Sequence, residues 1–332
     1  MKFSVFGAGR MGERHIVNLA ASNRAELAYV VDPDLDRATA LATKFGAKAS
    51  TRPDGPLSDP AVDAVIISSA TNTHVDLIIA SAKAGKAVLC EKPIDLDMAR
   101  VDHCAKAIKG CDVPIMIGFQ RRFDPTHRAV HAAVAGGEVG KVEVISIVSR
   151  DPGPPPYSYI AVSGGQFHDQ MIHDFDLALW LSGASGQTEV FAMGSTLVDT
   201  EIGRHGDTDT AQVLMRFENG AFCKIDCSRR AVYGYDQRVE VFGSLGLVSS
   251  GNLHRTAIER TTAAGVTAKD LLAPDFLARY LPTYALELDA FIDAVEKGTQ
   301  PQPDFAAGRR ALALADAARQ SHREGRAVTA SI

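Results

Sequence analysis

A glycine-rich turn near the N-terminus constrains the fold of this chain more than any other feature. Residues 7–12 read Gly-Ala-Gly-Arg-Met-Gly, and they lie between an apolar run, Lys2–Phe6, and a stretch with helical periodicity over 13–21. A second apolar run, 26–32, ends in Asp32, which comes 20 residues after the last glycine. Strand, G-x-G-x-x-G turn, helix and acid-tipped strand in this order predict a dinucleotide-binding βαβ unit.

Each part of this pattern has a physical role in holding a dinucleotide. Glycines let the backbone approach a pyrophosphate, and the free N–H groups at a helix N-terminus meet its negative charge. The carboxylate of Asp32 accepts hydrogen bonds from the adenosine ribose and repels a 2′-phosphate, so the sequence predicts NAD rather than NADP. The alternative interpretation is a glycine-rich turn in some other α/β protein.

Strands and helices continue to alternate through the first third of the chain. Three apolar runs predict buried parallel strands, and each is followed by a short polar cluster. The runs are 62–68, 87–90 and 113–119, and the clusters are 71–74, 91–93 and 120–122. Doubly wound folds bind ligands at the carboxyl edge of the sheet, so we expect a Rossmann domain with these clusters beside its ligand.

Lys92 is the most informative residue in these clusters. It directly precedes Pro93, and proline disfavours helix at the preceding position, so the lysine is held in extended backbone. A lysine at a strand terminus can point into a cleft. The alternative is an ordinary surface lysine, as most lysines are.

The second half of the chain has a different pattern. Its strand-like runs are 141–150, 189–198, 210–217, 221–229, 238–242 and 247–250. Asn219-Gly220 is a hairpin turn signal, so we expect an α+β domain with a large, mostly antiparallel sheet that leaves one face exposed. The length of 332 residues predicts two domains: an NAD-binding domain over 1–121 and a substrate and oligomerisation domain over 122–332. A final helix, about 304–323, is expected to pack back on the first domain.

Charge and cysteine content narrow the function classes. The net charge of -5 and the absence of a basic stripe argue against nucleic acid and against anionic membranes. No apolar run approaches the roughly 18 residues that a membrane span requires. The five cysteines form no C-x-x-C pair, so we expect reduced core cysteines in a cytoplasmic protein.

The segment 164–176 carries the chemistry of the second half. Helical spacing from Phe167 places Asp169, His173 and Asp176 on one face, because they lie at i, i+4 and i+7. A carboxylate one turn before a histidine suits proton transfer, since it orients the imidazole and stabilises its charged form. The alternative is a half-buried helix whose polar face is only solvated. The sequence offers no further cysteine or histidine cluster for a metal, so none is expected.

A second, apolar stripe on the same segment is expected to seat the helix in a core. It consists of Ile172, Phe175 and Leu179.

Taken together, these motifs resemble the Gfo/Idh/MocA oxidoreductase family over essentially the whole chain, and within it the inositol branch. Besides the glycine turn, the resemblance rests on Thr71-Asn-Thr-His74, Glu91-Lys92-Pro93, Phe119-Gln-Arg-Arg-Phe-Asp124, Ser149-Arg-Asp-Pro-Gly-Pro-Pro-Pro156, Ser163-Gly-Gly-Gln-Phe-His-Asp169, Met171-Ile-His-Asp-Phe-Asp176 and Tyr233-Gly-Tyr-Asp236. The Ser-Arg-Asp-Pro and Ile-His-Asp-Phe-Asp blocks resemble the inositol branch in particular.

The resemblance implies roles for individual residues. Lys92 matches the family's catalytic lysine, and Asp169 and His173 match its catalytic carboxylate and base. Implied cofactor contacts are Gly7, Gly9, Arg10, Met11, Gly12, Asp32, Thr71, Asn72, His74, Glu91 and Lys92. Implied substrate contacts are Lys92, Gln120, Arg121, Asp151, Asp169, His173, Asp176, Tyr233 and Tyr235. The implied reaction is NAD-dependent oxidation of a cyclic polyol, myo-inositol to its 2-keto form, in a homo-oligomer that is a tetramer.

Two positions depart from the inositol branch. His168 and Gln170 flank Asp169, where that branch more often has Arg and Met. Both could line the pocket, so the polyol stays open: scyllo-inositol and an aldose are alternatives within the family. A more distant alternative is a dinucleotide-binding sensor without activity, which predicts loss of the lysine, aspartate or histidine. Tyr233 and Tyr235 are predicted to form an exposed aromatic pair that covers a polyol ring, or else to be two ordinary surface tyrosines.

Overall fold

Parallel strands build the first half of the chain and mainly antiparallel strands the second. A computed structural model describes all residues from Met1 to Ile332. It divides into two units. The first unit comprises Met1–Gln120 and Pro282–Arg309, and the second comprises Arg121–Leu281 and Arg310–Ile332.

The first unit is built on a six-stranded parallel sheet. Its strands are β1 Lys2–Phe6, β2 Glu26–Val31, β3 Lys48–Ser50, β4 Ala64–Ile67, β5 Ala87–Glu91 and β6 Ile115–Gly118. The order is β3-β2-β1-β4-β5-β6, and every neighbouring pair is parallel. Strands β4 and β6 are buried along their whole length, as a sheet covered on both faces requires. The strand order reverses between β1 and β4, and the glycine turn lies at that point, where doubly wound folds bind ligands.

Helices follow the strands of this sheet. They are α1 Arg10–Ala21, α2 Leu35–Phe45, α3 Asp54–Ser58, α4 His74–Lys83 and α5 Met98–Ala107, with a 3-10 turn at Thr71–Thr73. Helix α2 shows why they form locally: the Asp34 side chain accepts from the backbone N–H of Arg37, and Gly46 ends the helix in left-handed backbone. Helix α1 begins three residues earlier than predicted, since Arg10 and Met11 already belong to its first turn.

The second unit is built on a seven-stranded sheet. Its strands are β7 Val142–Arg150, β8 Gln187–Ser195, β9 Thr210–Phe217, β10 Phe222–Ser228, β11 Asp236–Gly243, β12 Gly246–Ser250 and, from the C-terminus, β15 Val328–Ser331. The short strands β13 Glu259–Thr261 and β14 Thr267–Lys269 form a separate hairpin. The sheet order is β12-β11-β7-β10-β9-β8-β15. All pairs are antiparallel except β7 with β10, so the mostly antiparallel sheet is confirmed, with an unforeseen edge strand, β15.

The helices of the second unit are α6 Pro125–Ala135, α7 Tyr157–Ser163, α8 Gln166–Asp169, α9 Ile172–Ser182 and α10 Thr200–Arg204, and a 3-10 turn spans Gln120–Phe123. Cys223 and Cys227 lie on one buried face of β10, and all five cysteines are free. The core of this unit combines inward-facing strand residues with apolar residues of α9, among them Phe175 and Leu179. Ile172 is fully buried, so the whole apolar stripe is confirmed.

The opposite face of the second sheet is open to solvent and partly apolar. Side chains exposed there by more than two-fifths include Met193, Leu214, Phe222, Phe242 and Leu247. The expected sheet with one exposed face is therefore present.

Two long helices, α11 Phe276–Lys297 and α12 Phe305–Glu324, contribute residues to each unit. In the first unit, Phe291 of α11 packs on Phe3 of β1 with ring centroids 6.2 Å apart. In the second unit, Leu314 and Ala318 of α12 belong to the core. No helix combines the length and apolarity that crossing a bilayer would demand.

Candidate active site

The three glycines of the first turn are required for different reasons. Gly7 has a φ of +99°, and a Cβ there would lie 2.6 Å from backbone atoms of Ser68 and Ser69. A Cβ on Gly12 would lie only 1.9 Å from the carbonyl oxygen of Gly7, because α1 packs closely on the turn. A Cβ on Gly9 would meet no protein atom within 4 Å. The packing of the protein itself therefore requires glycine at positions 7 and 12, whereas the open space at Gly9 fits a ligand.

The N-terminus of α1 opens onto this same space. Gly9 is the residue that precedes the helix, and no side chain caps it. The first amides of a helix carry partial positive charge and suit a phosphate. The open position at Gly9 and the uncapped helix end together fit the pyrophosphate of a dinucleotide.

Asp32 lies at the end of β2 and is already tied to the glycine turn. One carboxylate oxygen accepts from the backbone N–H of Ala8 at 2.8 Å, and the other accepts from that of Asp34 at 2.9 Å. The Arg37 guanidinium lies 3.8 Å away. A carboxylate has about four acceptor sites, so Asp32 retains capacity for a ribose hydroxyl. Its second role, fixing the turn, was not apparent from the sequence.

His74 holds two of the predicted clusters together. One ring nitrogen lies 2.8 Å from the carbonyl oxygen of Pro93, and the other lies 3.1 Å from that of Ser69. The ring is almost fully buried, and this burial lowers the pKa of His74. Thr71 is half-buried and Asn72 exposed in the 3-10 turn just before it. His74 therefore fastens the loop after β4 to the segment that carries Lys92.

Glu91 anchors the other side of Lys92. Its carboxylate accepts from the Nε2–H of His15 on α1 at 2.8 Å. Burial opposes ionisation of Glu91, but the hydrogen bond and charge of His15, together with the charges of Lys92 and His74, hold the pKa of Glu91 below its usual value. Lys92 is half-buried between Glu91 and the buried Pro93, and the Lys92–Pro93 peptide bond is cis. Both neighbours of Lys92 are thus held by a histidine.

In the second unit, the segment 164–176 forms two helices and not the single helix predicted from Phe167. Helix α8 ends at Asp169, and α9 begins at Ile172. The turn is widened because the N–H of Met171 reaches back five residues to the carbonyl of Gln166. Gln170 and Met171 nevertheless keep right-handed helical backbone, which is the conformation that the predicted one-turn spacing of Asp169 and His173 requires. Asp169 is half-buried and His173 is 8% exposed.

Asp176, the third residue of that face, is enclosed in an ion pair. Its two carboxylate oxygens accept from Nε and Nη2 of Arg122 at 2.8 and 2.6 Å. The Arg122 guanidinium lies 5.6 Å from the centre of the Trp180 ring. Burial raises the pKa of Asp176, and the Arg122 charge opposes that rise.

Arg121 is also buried, and its partner Asp174 was not singled out from the sequence. Nη1 of Arg121 donates to Asp174 at 2.6 Å, and Nη2 lies 3.5 Å from the Tyr235 hydroxyl. Asp174 is completely buried, which raises its pKa against the charge of Arg121. The only sequence signal for this pair was the repeated acid in Ile-His-Asp-Phe-Asp. Gln120, which immediately precedes Arg121 and belongs to the first unit, is 4% exposed.

The two tyrosines after β10 do not form an exposed pair. Tyr235 is 5% exposed, whereas Tyr233 is 48% exposed. The hydroxyl of Tyr233 donates to Asp236 at 2.7 Å and accepts from Arg150 at 3.1 Å. The residues separate because Gly234 between them has a φ of +116°, which turns the chain and places the rings in different surroundings.

Asp151 lies at the end of β7 in the electrostatic neighbourhood of Asp169. Burial, opposed by the charge of Arg121 and reinforced by that of Asp169, raises the pKa of Asp151 to about 7. The carboxyl group therefore changes charge near neutral pH. A group that does so beside a predicted acid–base pair is a candidate for a functional role.

His168 and Gln170 are committed to contacts within the fold. His168 is fully buried, and its Nε2 lies 2.9 Å from the Asp316 carboxylate on α12. The Gln170 amide donates to the carbonyl of Ser228 at 3.1 Å. The expectation that these two side chains redirect the pocket therefore finds no support in their contacts. No group of three or more His, Cys, Asp or Glu side chains converges as a metal site would.

Comparison with known proteins agrees with these features. Residues 1–119 match the family model described as an oxidoreductase family with an NAD-binding Rossmann fold, and residues 127–249 match the Gfo/Idh/MocA C-terminal domain. The chain is 46% identical to the Myo-inositol 2-dehydrogenase of Thermotoga maritima, over 99% of this chain and 98% of that protein. It is 43% identical to the Inositol 2-dehydrogenase of Rhizobium meliloti, over 99% of each.

A crystal structure of a myo-inositol dehydrogenase from Corynebacterium glutamicum has the same fold. The TM-score is 0.94 at 40% identity, and the match covers 99% of this chain and 98% of that one. The resemblance first noted in the motifs thus extends over the full length. The chain has an NAD-binding Rossmann domain, and it belongs to the Gfo/Idh/MocA family of oxidoreductases.

Proposed function

We propose that this protein oxidises a secondary hydroxyl of a cyclic polyol, myo-inositol to its 2-keto form. The similar proteins from Thermotoga maritima and Rhizobium meliloti are both named for inositol 2-dehydrogenation. The observation that carries the proposal is the right-handed helical backbone of Gln170 and Met171 between α8 and α9, which supports the predicted spacing of Asp169 and His173 by one turn. When bound, NAD supplies the hydride acceptor.

In the proposed mechanism the protein moves one proton and stabilises one developing charge. His173 takes the hydroxyl proton as general base, and Asp169 orients the imidazole and stabilises its charged form. The ammonium of Lys92 stabilises negative charge on the reacting oxygen. The assignment of these roles rests on the resemblance, and the rigid attachment of Glu91 and Pro93 on either side of Lys92 supports it.

The proposed cofactor contacts all belong to the first unit. The open space at Gly9 and the uncapped α1 helix, including Arg10 and Met11, fit the pyrophosphate. Asp32 fits the adenosine ribose. Further proposed contacts are Gly7, Gly12, Thr71, Asn72, His74, Glu91 and Lys92.

The proposed substrate contacts are polar, as a polyol with many hydroxyls requires. They comprise Lys92, Gln120, Arg121, Asp151, Asp169, His173, Asp176, Tyr233 and Tyr235. Arg121 and Asp176 are already held in buried ion pairs, so we propose that they act mainly by fixing their neighbours. Asp151, whose carboxyl group titrates near neutral pH, is the strongest of these candidates for a direct hydrogen bond to the polyol.

We further propose a homotetramer in the cytoplasm. The open, partly apolar face of the second sheet offers a surface for a second copy, and the five free cysteines suit a reducing compartment. The mass of the protein in solution tests the tetramer. We also propose that residues 1–121 form the NAD-binding domain and 122–332 the substrate domain.

The decisive experiment is the rate of NADH formation by the purified protein with NAD and myo-inositol. Scyllo-inositol, glucose and NADP are run alongside. Turnover on myo-inositol with a preference for NAD is the expected result. Turnover on scyllo-inositol or glucose alone would identify that compound as the substrate in place of myo-inositol. NAD binding without turnover on any polyol would favour a dinucleotide-binding sensor.

Replacement of the proposed catalytic lysine tests the mechanism. Lys92→Ala is expected to lower kcat by about 10²- to 10³-fold, the usual effect of removing one preorganised charge-stabilising group, with a modest loss of NAD affinity. Lys83→Ala on α4 is the matched control, because Lys83 is exposed in the same unit. Near-normal turnover of the Lys92→Ala protein would contradict the proposed role.

A further inference from the structure

A tyrosine outside all of the recognised motifs contacts the proposed catalytic carboxylate. The hydroxyl of Tyr159 donates to Oδ1 of Asp169 at 2.9 Å. Tyr159 belongs to α7 and Asp169 to α8, and both lie in the second unit. Charge-assisted hydrogen bonds of this kind are stronger than neutral ones, so the contact bears directly on the carboxylate that is assigned to orient His173.

The connection between α7 and α8 is built to hold this contact in place. Gly164 and Gly165 join the helices with φ values of +84° and +82°. A Cβ on Gly165 would lie 2.6 Å from Oδ1 of Asp207, and that same oxygen accepts from the N–H of Gln166 at 2.7 Å. Asp207 in turn lies 3.0 Å from the fully buried Arg229 guanidinium. The turn that follows α7 is therefore held against Asp207 and, through it, against the buried Arg229.

The start of α7 has its own attachment. The Tyr157 hydroxyl donates to Asp199 at 2.5 Å, and the Tyr157 ring stacks on His205 with centroids 5.7 Å apart. The proline-rich loop 152–156 leads directly into this helix. Tyr159 is thus carried by a helix that is fastened at both ends, although its own ring is 41% exposed.

We propose that Tyr159 is a positioning residue of the dehydrogenase reaction. Its hydroxyl fixes the rotation of the Asp169 carboxylate and sets the proton affinity of the Asp169–His173 pair. This inference rests on the proposed function for its kinetic part, but the proton affinity of the pair is a property of the protein alone. Neither the motifs nor the resemblance assigned any role to Tyr159.

The direction of the effect follows from electrostatics. A hydroxyl that donates to a carboxylate stabilises its ionised form and lowers its pKa. Without that donor the carboxylate holds its charge more locally, attracts the imidazolium more strongly and raises the apparent pKa of the coupled pair. Charged groups in this neighbourhood include Asp151, which follows β7 and interacts electrostatically with Asp169, and the groups that act on Asp151 in turn, namely Arg121, Arg229 and Asp174.

The test compares Tyr159→Phe with Tyr157→Phe. The two tyrosines lie two positions apart on one helix, each donates to an aspartate, and each is about two-fifths exposed. Of these two tyrosines, Tyr159 donates to Asp169 and Tyr157 donates to Asp199, so Tyr157→Phe controls for the loss of a partly exposed phenol from α7. Thermal unfolding of both variants establishes that they are folded.

Two readouts separate positioning from mere packing. In kinetics with myo-inositol, Tyr159→Phe is expected to lower kcat about tenfold with little change in KM, and to move the acid limb of the pH profile upward by about half a unit to one unit. In the NAD-free protein, the His173 imidazole pKa is measured by NMR on histidine-labelled protein and assigned with His173→Gln. It is expected to rise by a similar amount in Tyr159→Phe and to stay unchanged in Tyr157→Phe.

The outcomes distinguish this inference from the proposed function. An unchanged His173 pKa in Tyr159→Phe, or an equal shift in Tyr157→Phe, would overturn the positioning role whatever the substrate is. A shifted His173 pKa in a protein that oxidises none of the polyols would support the positioning role and reject the polyol reaction. A fall in kcat without any change in the pH profile would contradict the positioning role and would mean that Tyr159 acts only through packing.

Discussion

Substitutions in the glycine turn after β1 can distinguish a glycine that the fold requires from a glycine that NAD binding requires. We expect Gly9→Ala to leave stability almost unchanged and to weaken NAD binding severely. We expect Gly12→Ala to destabilise the first unit itself. The reason is that a Cβ at Gly9 meets no protein atom within 4 Å, whereas a Cβ at Gly12 lies 1.9 Å from the carbonyl oxygen of Gly7.

The magnitudes follow from these distances. An ordinary contact needs at least 3.4 Å, so the atoms at Gly12 must separate by about 1.5 Å. Overpacking costs about 1–3 kcal/mol, and we expect the upper end because the obstructing atom belongs to the backbone and cannot rotate away. A loss of about 3 kcal/mol in the free energy of unfolding lowers Tm by roughly 6–12 °C in a domain of the size of the first unit. Gly9 has a φ of -78° and a ψ of -168°, which alanine also adopts, so its replacement changes stability by less than about 1 kcal/mol.

For NAD affinity we expect the opposite order, with the larger loss in Gly9→Ala. An alanine methyl at Gly9 occupies the space that fits the pyrophosphate, and we expect NAD affinity to fall by about 100-fold, or about 2.7 kcal/mol. Thermal unfolding followed by circular dichroism measures stability, and isothermal titration with NAD measures affinity well below each Tm. Gly46→Ala is the control, since Gly46 has a φ of +72° and no neighbour within 4 Å of its Cβ. It is expected to lose about 1–2 kcal/mol of stability without any change in NAD affinity. Wild-type NAD affinity in Gly9→Ala, or equal destabilisation by Gly9→Ala and Gly12→Ala, would refute this reasoning.

Two further predictions concern charged side chains in the second unit. The pKa of Asp151 is raised to about 7, so the folded protein binds an extra proton between about pH 4 and pH 7 and loses that stabilisation as pH rises through this window. Between pH 5 and pH 8, the melting temperature should fall less steeply with rising pH for Asp151→Asn than for wild type. Equal slopes would contradict the raised pKa of Asp151. Asp176→Leu leaves the Arg122 guanidinium buried without its partner and should cost about 3–5 kcal/mol, whereas the double variant Arg122→Met with Asp176→Leu should recover much of that loss. Urea unfolding of the single and double variants measures the difference, and additive losses would rule out the ion pair as the cause.

Sequence reasoning succeeded where function is encoded by residues that are close together in the chain. The order of strand, glycine turn and acid-tipped strand predicted the Rossmann sheet, because each of those signals is local. The break in the helix between Asp169 and His173 was unforeseen, but its residues keep helical backbone, so the one-turn spacing of the pair stays a prediction that this backbone supports. The partial failure at Tyr233 and Tyr235 has a local cause as well, because Gly234 between them permits a positive φ that turns the chain.

The contacts that hold the site in place join residues far apart in the chain and could not be predicted in this way. The carboxylate of Glu91 pairs with His15, which lies 76 residues earlier, and Arg121 pairs with Asp174, which lies 53 residues later. Periodicity shows which residues are buried but does not show which buried acid meets which buried base. Tyr159 illustrates the same limit at short range, since only the turn at Gly164 and Gly165 brings its hydroxyl to Asp169.

The double attachment of Asp32 affects how a different cofactor preference could be engineered or could evolve. Substitution of this aspartate is the obvious way to accommodate a 2′-phosphate, because the Arg37 guanidinium already lies 3.8 Å away. The same carboxylate, however, accepts from the backbone amides of Ala8 and Asp34. A replacement without an acceptor would leave those donors unsatisfied and loosen the turn that both cofactors need. The accessible route to the phosphorylated cofactor therefore passes through asparagine or serine, which lose the negative charge but keep an oxygen for the backbone.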